Sequence, residues 1–289
     1  MNLYQRLLRR LTLEPVSHEL FIGGAGAGGV TENARLFGGL VAAQATMAAL
    51  NTVTDFPLHS LHGYFLLPGR PDADIEFHVS SAKDGRNFAL RNVSAVQTDR
   101  LIFQLQASFQ RPTTGVHHQP QMPAVPPPEG LANRDQLKGR RNWEDMPVDV
   151  RMVTPLTTNR PLPAEQQLWL GVNGPVPADP AIHLALVVYA SDRCLLDTAW
   201  RPHADTGALT GASLDHAMWF HQEPRFDDWL LYSTTSPAAA AGRGLAHGQL
   251  FDRNGLHIAS VAQEGVLKHR EHPQNGVDRQ EPGSQEEPH

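Results

Sequence analysis

The chain has 289 residues, of which 40% are hydrophobic, 19% charged and 7% aromatic. This composition can bury a core, so it excludes a wholly disordered protein, and the length suits one large domain or two of about 150 residues. Lys and Arg number 24 against 30 for Asp and Glu, and the formal charge of −6 argues against a dedicated nucleic-acid binder.

No apolar run approaches the roughly 18 residues that a transmembrane helix requires. The N-terminal run MNLYQRLLRRLTLEPV carries charges inside its apolar stretch, unlike a secretory signal. The single cysteine, Cys194, excludes a disulfide framework and a cysteine-based zinc cluster. We therefore expect a cytoplasmic globular protein with no membrane span and no nucleic-acid partner.

In the first half, leucines at helical spacing predict a short amphipathic helix over residues 1–12. A strand and a glycine-rich turn follow, and the alanine-rich run Gly39–Leu50 predicts a buried helix that ends at Asn51. After Pro57 the pattern alternates with period two and predicts an antiparallel meander. Its strands are LHSLHGYFLLPG, IEFHVSSAK, NFALRNVSAVQ and LIFQLQASFQ.

Residues 111–150 are rich in proline and polar side chains and are typical of a linker. The second half then repeats the order of elements. A strand in QQLWLGVNGPVP precedes a buried helix in IHLALVVYASDRCLLDTA, and strands follow in SLDHAMWFHQ, DDWLLYSTTSP, GRGLAHGQLFD and LHIASVAQEGVLK. The polar residues from Lys268 onward predict a disordered tail.

Two local similarities indicate an internal duplication. His62-Gly-Tyr-Phe resembles His216-Ala-Met-Trp-Phe, and the run from Leu101 resembles the run from Leu256. We therefore predict an α+β double hotdog, in which each half is a long central helix wrapped by a curved antiparallel sheet. The predicted domains are an N-terminal hotdog (1–112), a proline-rich linker (113–150), a C-terminal hotdog (151–268) and a disordered tail (269–289).

Some motifs favour ordinary structural roles. A G-x-G-x-x-G pattern occurs at Gly24, Gly26 and Gly29, but no helix opens directly after it and no βαβ unit surrounds it. We interpret it as a flexible loop. Cys194 lies beside leucines in a helical run, so we expect an inert thiol.

The fifteen histidines raise the possibility of a metal site. His59 and His62, like His216 and His221, fall in strand-like segments at spacings that match no ligand pattern, and no acidic third ligand accompanies them. We expect no metal and no cofactor.

Three further residues are ambiguous from the pattern alone. Asp192 follows an apolar helix, where it is either a surface carboxylate at a helix end or a partly buried one that needs hydrogen-bond partners. Ser213 opens the strand SLDHAMWFHQ and Gln263 lies in the last strand. Residues of these two types in strands usually lie at an edge or in solvent.

Between Leu13 and Lys268, outside the linker, the chain carries the stretches LFGGLVAAQA, HSLHGYFLLPG, DGRNFALRNVSAVQ, IFQLQASFQ, YASD, LDHAMWFH, WLLYS and VAQEGVL. With these it resembles the acyl-CoA thioesterase II family, duplicated hotdog enzymes of bacteria and peroxisomes. The family's network is an aspartate in YASD, a Ser or Thr before the DHxxWFH strand and a glutamine in the last strand. The resemblance implies Asp192, Ser213 and Gln263 as catalytic residues and acyl-CoA as substrate.

Thioester hydrolysis needs only an activated water, because the thiolate is a good leaving group. An ionised Asp192 could take the proton of that water, while Ser213 and Gln263 hold it by hydrogen bonds. Backbone amides at the first helix, at Gly38 and Gly39, are candidate oxyanion donors. A covalent route through Ser213 ranks below direct hydrolysis, since no histidine base is known to lie near it.

In the first half, Ser108 or Phe109 aligns with Gln263, so we expect one active site per chain, with walls from the first half. Exposed sheet edges predict a homodimer or homotetramer. The leading function is hydrolysis of fatty acyl-CoA to fatty acid and CoA. The alternatives are a non-catalytic acyl-CoA-binding or regulatory protein and an enoyl-CoA hydratase or dehydratase.

Overall fold

The structure, a computed structural model, describes residues 1–25, 35–142, 144, 146–156, 160–206 and 209–269. Within these ranges the helices are α1 (Leu3–Leu11), α2 (Gly38–Leu50), α3 (Arg134–Leu137), α4 (Pro180–Ser191) and α5 (Asp197–Trp200). Short 3₁₀ turns cover Pro128–Gly130 and Arg201–His203. None of the described helices combines the length and hydrophobicity needed to cross a membrane.

The described strands are β1 (Glu14–Pro15), β2 (Leu20–Gly23), β3 (Leu58–Phe65), β4 (Ile75–Asp84), β5 (Phe88–Gln97), β6 (Arg100–Gln110), β7 (Val148–Met152), β8 (Glu165–Val172), β9 (Leu209–Ser213), β10 (Asp215–Phe220), β11 (Leu230–Ala240), β12 (Arg243–Phe251) and β13 (His257–His269). They form an antiparallel sheet in the order β1-β2-β4-β5-β6-β3-β10-β13-β12-β11-β8-β7, with β9 paired to β13. This large antiparallel sheet with few helices fits the predicted α+β class.

The two halves of the sheet meet at the ladder between β3 and β10, which is centred on the pair Ala217 and His62. Outward from β3 the strands run β6, β5, β4, β2, β1, and outward from β10 they run β13, β12, β11, β8, β7. The succession is the same on both sides. The ladder therefore lies on an approximate two-fold axis that makes His62 correspond to Ala217 and Phe65 to Phe220.

Helices α2 and α4 are apolar on every side, which is stable only where a helix is buried all round. In α2 the buried run extends from Gly39 to Ala49, and in α4 from Ile182 to Ser191. The helices pack against each other in opposite directions, since the start of α2 lies beside the end of α4. A Cβ at Gly39 would lie 2.6 Å from the carbonyl oxygen of Tyr189, so glycine is needed for this close approach.

Two predicted boundaries change. The predicted helix IHLALVVYASDRCLLDTA is two helices, because α4 ends at Ser191 and the amide of Arg193 turns back to donate to Ala190. Ser213 was expected to open a strand, but it is the last residue of β9. The amide of Leu214 donates to Glu264 between β9 and β10, so the chain continues along β13 after a short interruption.

The proline-rich segment packs onto the second half. The indole nitrogen of Trp169 donates to the carbonyl of Pro126 at 2.9 Å. Three apolar side chains of the segment contact a small cluster, separate from the main core, formed by Trp169, Leu231 and Phe251. The three are Met122, Val125 and Leu131.

The two ends of the strand order are short or covered. Strand β1 has two residues, one of them Pro15. Strand β7 is bridged by Asn133, which pairs with Arg151 and donates to the carboxylate of Asp149 at 2.5 Å. The predicted disordered tail begins in a strand, because Lys268 and His269 are the last residues of β13. The rest of that tail and the loop at Gly26 and Gly29 lie outside the described residues.

The contact at Gly39 is testable by stability. Gly39→Ala should lower the free energy of unfolding by about 1–3 kcal/mol, because the new methyl group meets the backbone oxygen of Tyr189 as well as the ring of Phe37, and the backbone oxygen cannot move aside without shifting α4. Urea denaturation followed by circular dichroism measures the change. Gly115→Ala is the control, since a Cβ there meets nothing within 4 Å. Equal stability of both variants would show that α2 and α4 lie further apart.

Candidate active site

The structure brings together the three residues singled out from the sequence. The amide nitrogen Nε2 of Gln263 lies 2.6 Å from Oδ1 of Asp192 and 2.8 Å from Oγ of Ser213. The hydroxyl of Ser213 lies 3.4 Å from the same carboxylate oxygen. The three side chains thus form one hydrogen-bonded cluster, with the amide of Gln263 at its centre.

Strand pairing explains how Ser213 and Gln263 meet. Ser213 pairs with Gly265 in the ladder between β9 and β13, and Gln263 lies two residues before Gly265 on the same face of the strand. Gln263 is completely buried. Its carbonyl oxygen Oε1 has no hydrogen-bond partner among the described residues. A buried acceptor without a partner is unusual and is a feature of sites that bind water or ligand.

Asp192 caps the C-terminal end of α4. A carboxylate is unfavourable there, because the helix dipole places partial negative charge at that end. Helix α2, which runs antiparallel to α4, compensates for this unfavourable interaction. A Cβ built on Gly38 at the start of α2 would lie 3.1 Å from Oδ2 of Asp192. The carboxylate therefore lies against the positive end of a second helix.

The start of α2 carries unused backbone donors. Its N-cap residue, Phe37, offers no side-chain hydrogen bond, and the amide of Leu40 donates to the carbonyl of Phe37. The amides of Gly38 and Gly39 have no acceptor within the described part of the chain. Free amides at a helix N-terminus form a site suited to negative charge.

A cavity of about 450 Å³ opens at this point. Asp192 and Ser213 come from the second half of the chain, whereas most of the other wall residues come from the first. Gln263 lies behind them. The apolar walls are Leu36, Phe37, Val41, Phe65, Leu66, Leu67, Ile102 and Leu214. The arrangement offers a carboxylate and a hydroxyl at the edge of an apolar pocket.

A buried histidine supports the same region from behind. Nε2 of His216 lies 2.9 Å from Oγ of Ser191, whose hydroxyl also lies 2.9 Å from the carbonyl of Val188. Burial lowers the pKa of His216, against the opposing effect of the carboxylates of Asp192 and Asp215. The imidazole is therefore neutral at pH 7.

Ion pairs hold the turn that follows Asp192. Arg193 pairs with the buried carboxylate of Asp135, and Asp197 pairs with Arg134 of the same short helix, α3. The segment between the two halves thus anchors both sides of the turn. No periodicity or spacing in the sequence signals these pairs, since the partners are 58 and 63 residues apart.

Cys194 lies in this turn and is buried. Burial raises the pKa of its thiol, although Arg134 acts in the opposite direction. The thiol is therefore protonated at neutral pH and shielded from solvent, which agrees with the inert cysteine expected from the sequence.

The register of the sheet revises one alignment between the halves. Ala217 pairs with Ala262 and its counterpart His62 pairs with Gln106. Gln263 therefore corresponds to Ala107, and not to Ser108 or Phe109. The helices have a matching relation, because Asn51 caps α2 as Asp192 caps α4.

Comparison with known families identifies both halves. A family model described as "Acyl-CoA thioesterase" matches residues 143–266, and one described as "Acyl-CoA thioesterase N-terminal domain" matches residues 28–110. The chain is 37% identical over 281 residues to acyl-coenzyme A thioesterase 8 of Mus musculus, covering 89% of this chain and 87% of the relative. It is 35% identical over 289 residues to acyl-CoA thioesterase 2 of Haemophilus influenzae, covering 93% and 99%.

Solved structures give the same picture. Acyl-CoA thioesterase II TesB2 from Mycobacterium marinum is 38% identical, with a TM-score of 0.77 over 91% of this chain and 98% of that one. A hot dog fold protein from Alicyclobacillus acidocaldarius is 18% identical, with a TM-score of 0.75 over 92% and 98%. The second likeness concerns the fold alone.

Burial of His216 predicts a dependence of stability on pH. Because the folded-state pKa is lowered, the unfolded chain binds a proton near pH 6.5 that the folded chain does not, so stability falls as the pH drops below that value. His216→Gln should reduce this slope by up to about 1.4 kcal/mol per pH unit. Urea denaturation at pH 7.5, 6.5 and 5.5 measures it.

The control is His117→Gln, at an exposed histidine of the connecting segment. Its slope should equal that of the unsubstituted chain. An unchanged slope in His216→Gln would mean that His216 is hydrated, and not buried, in solution.

Proposed function

Since this chain belongs to the acyl-CoA thioesterase II family and is an acyl-CoA thioesterase, we propose that it hydrolyses fatty acyl-CoA by direct attack of a water that Asp192 activates. The observation that carries the proposal is the cluster of Asp192, Ser213 and Gln263 at the edge of an apolar cavity. In this view the acyl chain occupies the cavity, and the thioester carbonyl lies on the cavity side of the carboxylate and the start of α2.

The base is Asp192. Its Oδ1 accepts hydrogen bonds from Gln263 and Ser213, which leaves Oδ2 facing the start of α2. A water held there gives its proton to the carboxylate as its oxygen attacks the thioester carbon. General-base assistance of this kind contributes roughly 10²–10⁴-fold to the rate.

The negative charge that develops on the carbonyl oxygen needs donors in place beforehand. The amides of Gly38 and Gly39, which have no acceptor among the described residues, supply them at the positive end of α2. The tetrahedral intermediate then collapses, the C–S bond breaks, and the departing CoA sulfur takes the proton from Asp192. The products are a fatty acid and CoA, and the carboxylate is restored.

Gln263 and Ser213 orient the reacting groups. The amide of Gln263 holds one oxygen of Asp192 and the oxygen of Ser213, so both face the cavity. A covalent route through Ser213 has less support, since Nε2 of His216 is hydrogen-bonded to Ser191 and not to Ser213. Direct hydrolysis uses the hydrogen bonds among Asp192, Ser213 and Gln263 described above.

We interpret the architecture as a double hotdog in which α2 and α4 are the two central helices. The domain limits we propose are 1–112 and 151–268 for the hotdogs, 113–150 for the connecting segment and 269–289 for the tail. The repeated succession of strands on each side of the β3–β10 ladder supports this division. A cytoplasmic location and assembly as a homodimer or homotetramer stay predictions from the sequence.

Substitution of Asp192 tests the mechanism. Asp192→Asn should lower kcat on acyl-CoA by about 10²–10⁴-fold, because an amide cannot accept the proton of the water. Release of free CoA, followed with a thiol reagent, measures turnover. Asp205→Asn, at an exposed carboxylate, is the control and should keep full activity. Normal kcat in Asp192→Asn would exclude it as the base, and binding without turnover in the unsubstituted chain would favour a non-catalytic acyl-CoA-binding protein.

The apolar walls predict how chain length is selected. Val41→Phe should shorten the cavity by roughly two methylene groups, each contributing about 0.8 kcal/mol. We expect kcat/KM for long acyl-CoA to fall by about tenfold relative to short acyl-CoA. The exposed Val16→Phe should leave the profile unchanged. An unaltered profile in Val41→Phe would place the acyl chain elsewhere.

A further inference from the structure

A second cavity of about 670 Å³ lies at the opposite end of the α2 and α4 pair. Its walls include Leu50 and Asn51 at the end of α2, and Asp179, Ala181 and Leu184 at the start of α4. The candidate active site lies instead at the start of α2 and the end of α4. The approximate two-fold axis that relates the two halves therefore maps the first cavity onto the second.

The sheet residues around the two cavities correspond in the same way. Phe65 lines the first cavity, and its counterpart Phe220 lines the second. Ser213 lines the first cavity, and its counterpart Leu58 lines the second. The same backbone frame thus surrounds two hollows of comparable size.

The second cavity has lost the base and its partners. The position of Asp192 is taken by Asn51, that of Ser213 by Leu58 and that of Gln263 by Ala107. An asparagine amide cannot act as a general base near neutral pH, and the other two side chains are apolar. Activation of a water is therefore excluded at these positions.

The helix donors are lost as well. At the start of α4, Pro180 has no N–H, and the amide of Ala181 donates to the side chain of Asp179 at 2.9 Å. At the start of α2, by contrast, the amides of Gly38 and Gly39 are free within the described chain. The second cavity is of comparable size but lacks both the general base with its partners and the free helix amides.

One part of the remaining wall is apolar, and polar side chains such as Asn51, Gln110, Thr113 and Gln222 line the rest. Leu58, Leu184 and Phe220 form buried apolar walls. Two histidines at the cavity are held by neighbouring hydroxyls, His59 by Ser108 at 2.8 Å and His221 by Ser260 at 2.9 Å. Burial lowers the pKa of both imidazoles, so they are neutral at pH 7. The charged residues at the cavity are Arg111, Asp179 and Glu223.

We propose that this second cavity binds a fatty acyl chain without hydrolysing it. The assignment of the ligand class rests on the proposed function of the first cavity, because the second shares its frame. The chain can belong to unreacted acyl-CoA or to the fatty acid product. The protein then holds two acyl chains, one at each end of the helix pair, and cleaves one.

Binding stoichiometry tests the proposal. Isothermal titration of the full chain uses S-hexadecyl-CoA, a thioether that cannot be hydrolysed, and palmitate, both below their micelle concentrations. We expect two equivalents of hexadecyl chain per protein chain. If only palmitate fills the second cavity it is a product site, and if the thioether fills it the site accepts substrate. A single equivalent with both ligands overturns the proposal.

Variants locate the second equivalent. Ala181→Trp fills the second cavity and should leave one equivalent, with kcat/KM on palmitoyl-CoA within about twofold of the unsubstituted chain. Asn51→Trp fills the same cavity from the end of α2. It should also leave one equivalent, and it replaces Ala181→Trp as the test if that variant fails to fold. Val41→Phe is the reciprocal variant and should weaken only the other equivalent. Two equivalents retained in both tryptophan variants would overturn the location.

Turnover separates this inference from the proposed function. Palmitoyl-CoA hydrolysis with one bound equivalent contradicts the second site and leaves the enzyme mechanism intact. Two bound equivalents without hydrolysis of any acyl-CoA contradict the proposed function alone.

Discussion

The close antiparallel contact between α2 and α4 is the constraint on which the site depends. Both helices are apolar all round, so each must be enclosed, and Gly39 allows their backbones to approach. The contact brings the end of α4 to the start of α2. Asp192 then lies between the negative end of one helix and the positive end of another. Its charge is tolerated because the second helix offsets the first.

The surroundings of Asp192 combine ion pairs and hydrogen bonds with buried polar atoms that lack a partner among the described residues, among them Nε of Arg193, Nδ1 of His216 and Oε1 of Gln263. Ion pairs from α3 hold the turn after it, and the amide of Gln263 holds its carboxylate. The carbonyl oxygen of Gln263 is buried and has no partner in the described structure. Leaving such a group unpaired costs about 1–3 kcal/mol. A cost of this kind inside a hydrogen-bonded cluster is typical of functional sites, where local rules are broken for chemistry.

Composition and periodicity predict the helices and strands well where the pattern of apolar residues is pronounced. The alanine-rich α2 and the alternating strands of the first half follow from such patterns. Ser213 was placed in the wrong element, because a brief interruption between β9 and β10 has no local signal. The residues of the cluster are 21 and 50 positions apart. Only resemblance to a family could join them, since their proximity arises from strand register and helix packing.

The ends of the sheet limit how copies of this chain can associate. An edge strand with free amides and carbonyls can recruit another copy by backbone pairing. Here one end of the strand order is a two-residue strand with Pro15, and the other carries the bridge from Asn133 to Arg151. Neither end offers a long row of free donors and acceptors. Backbone pairing of a second copy at either of these two end strands is therefore restricted to short segments.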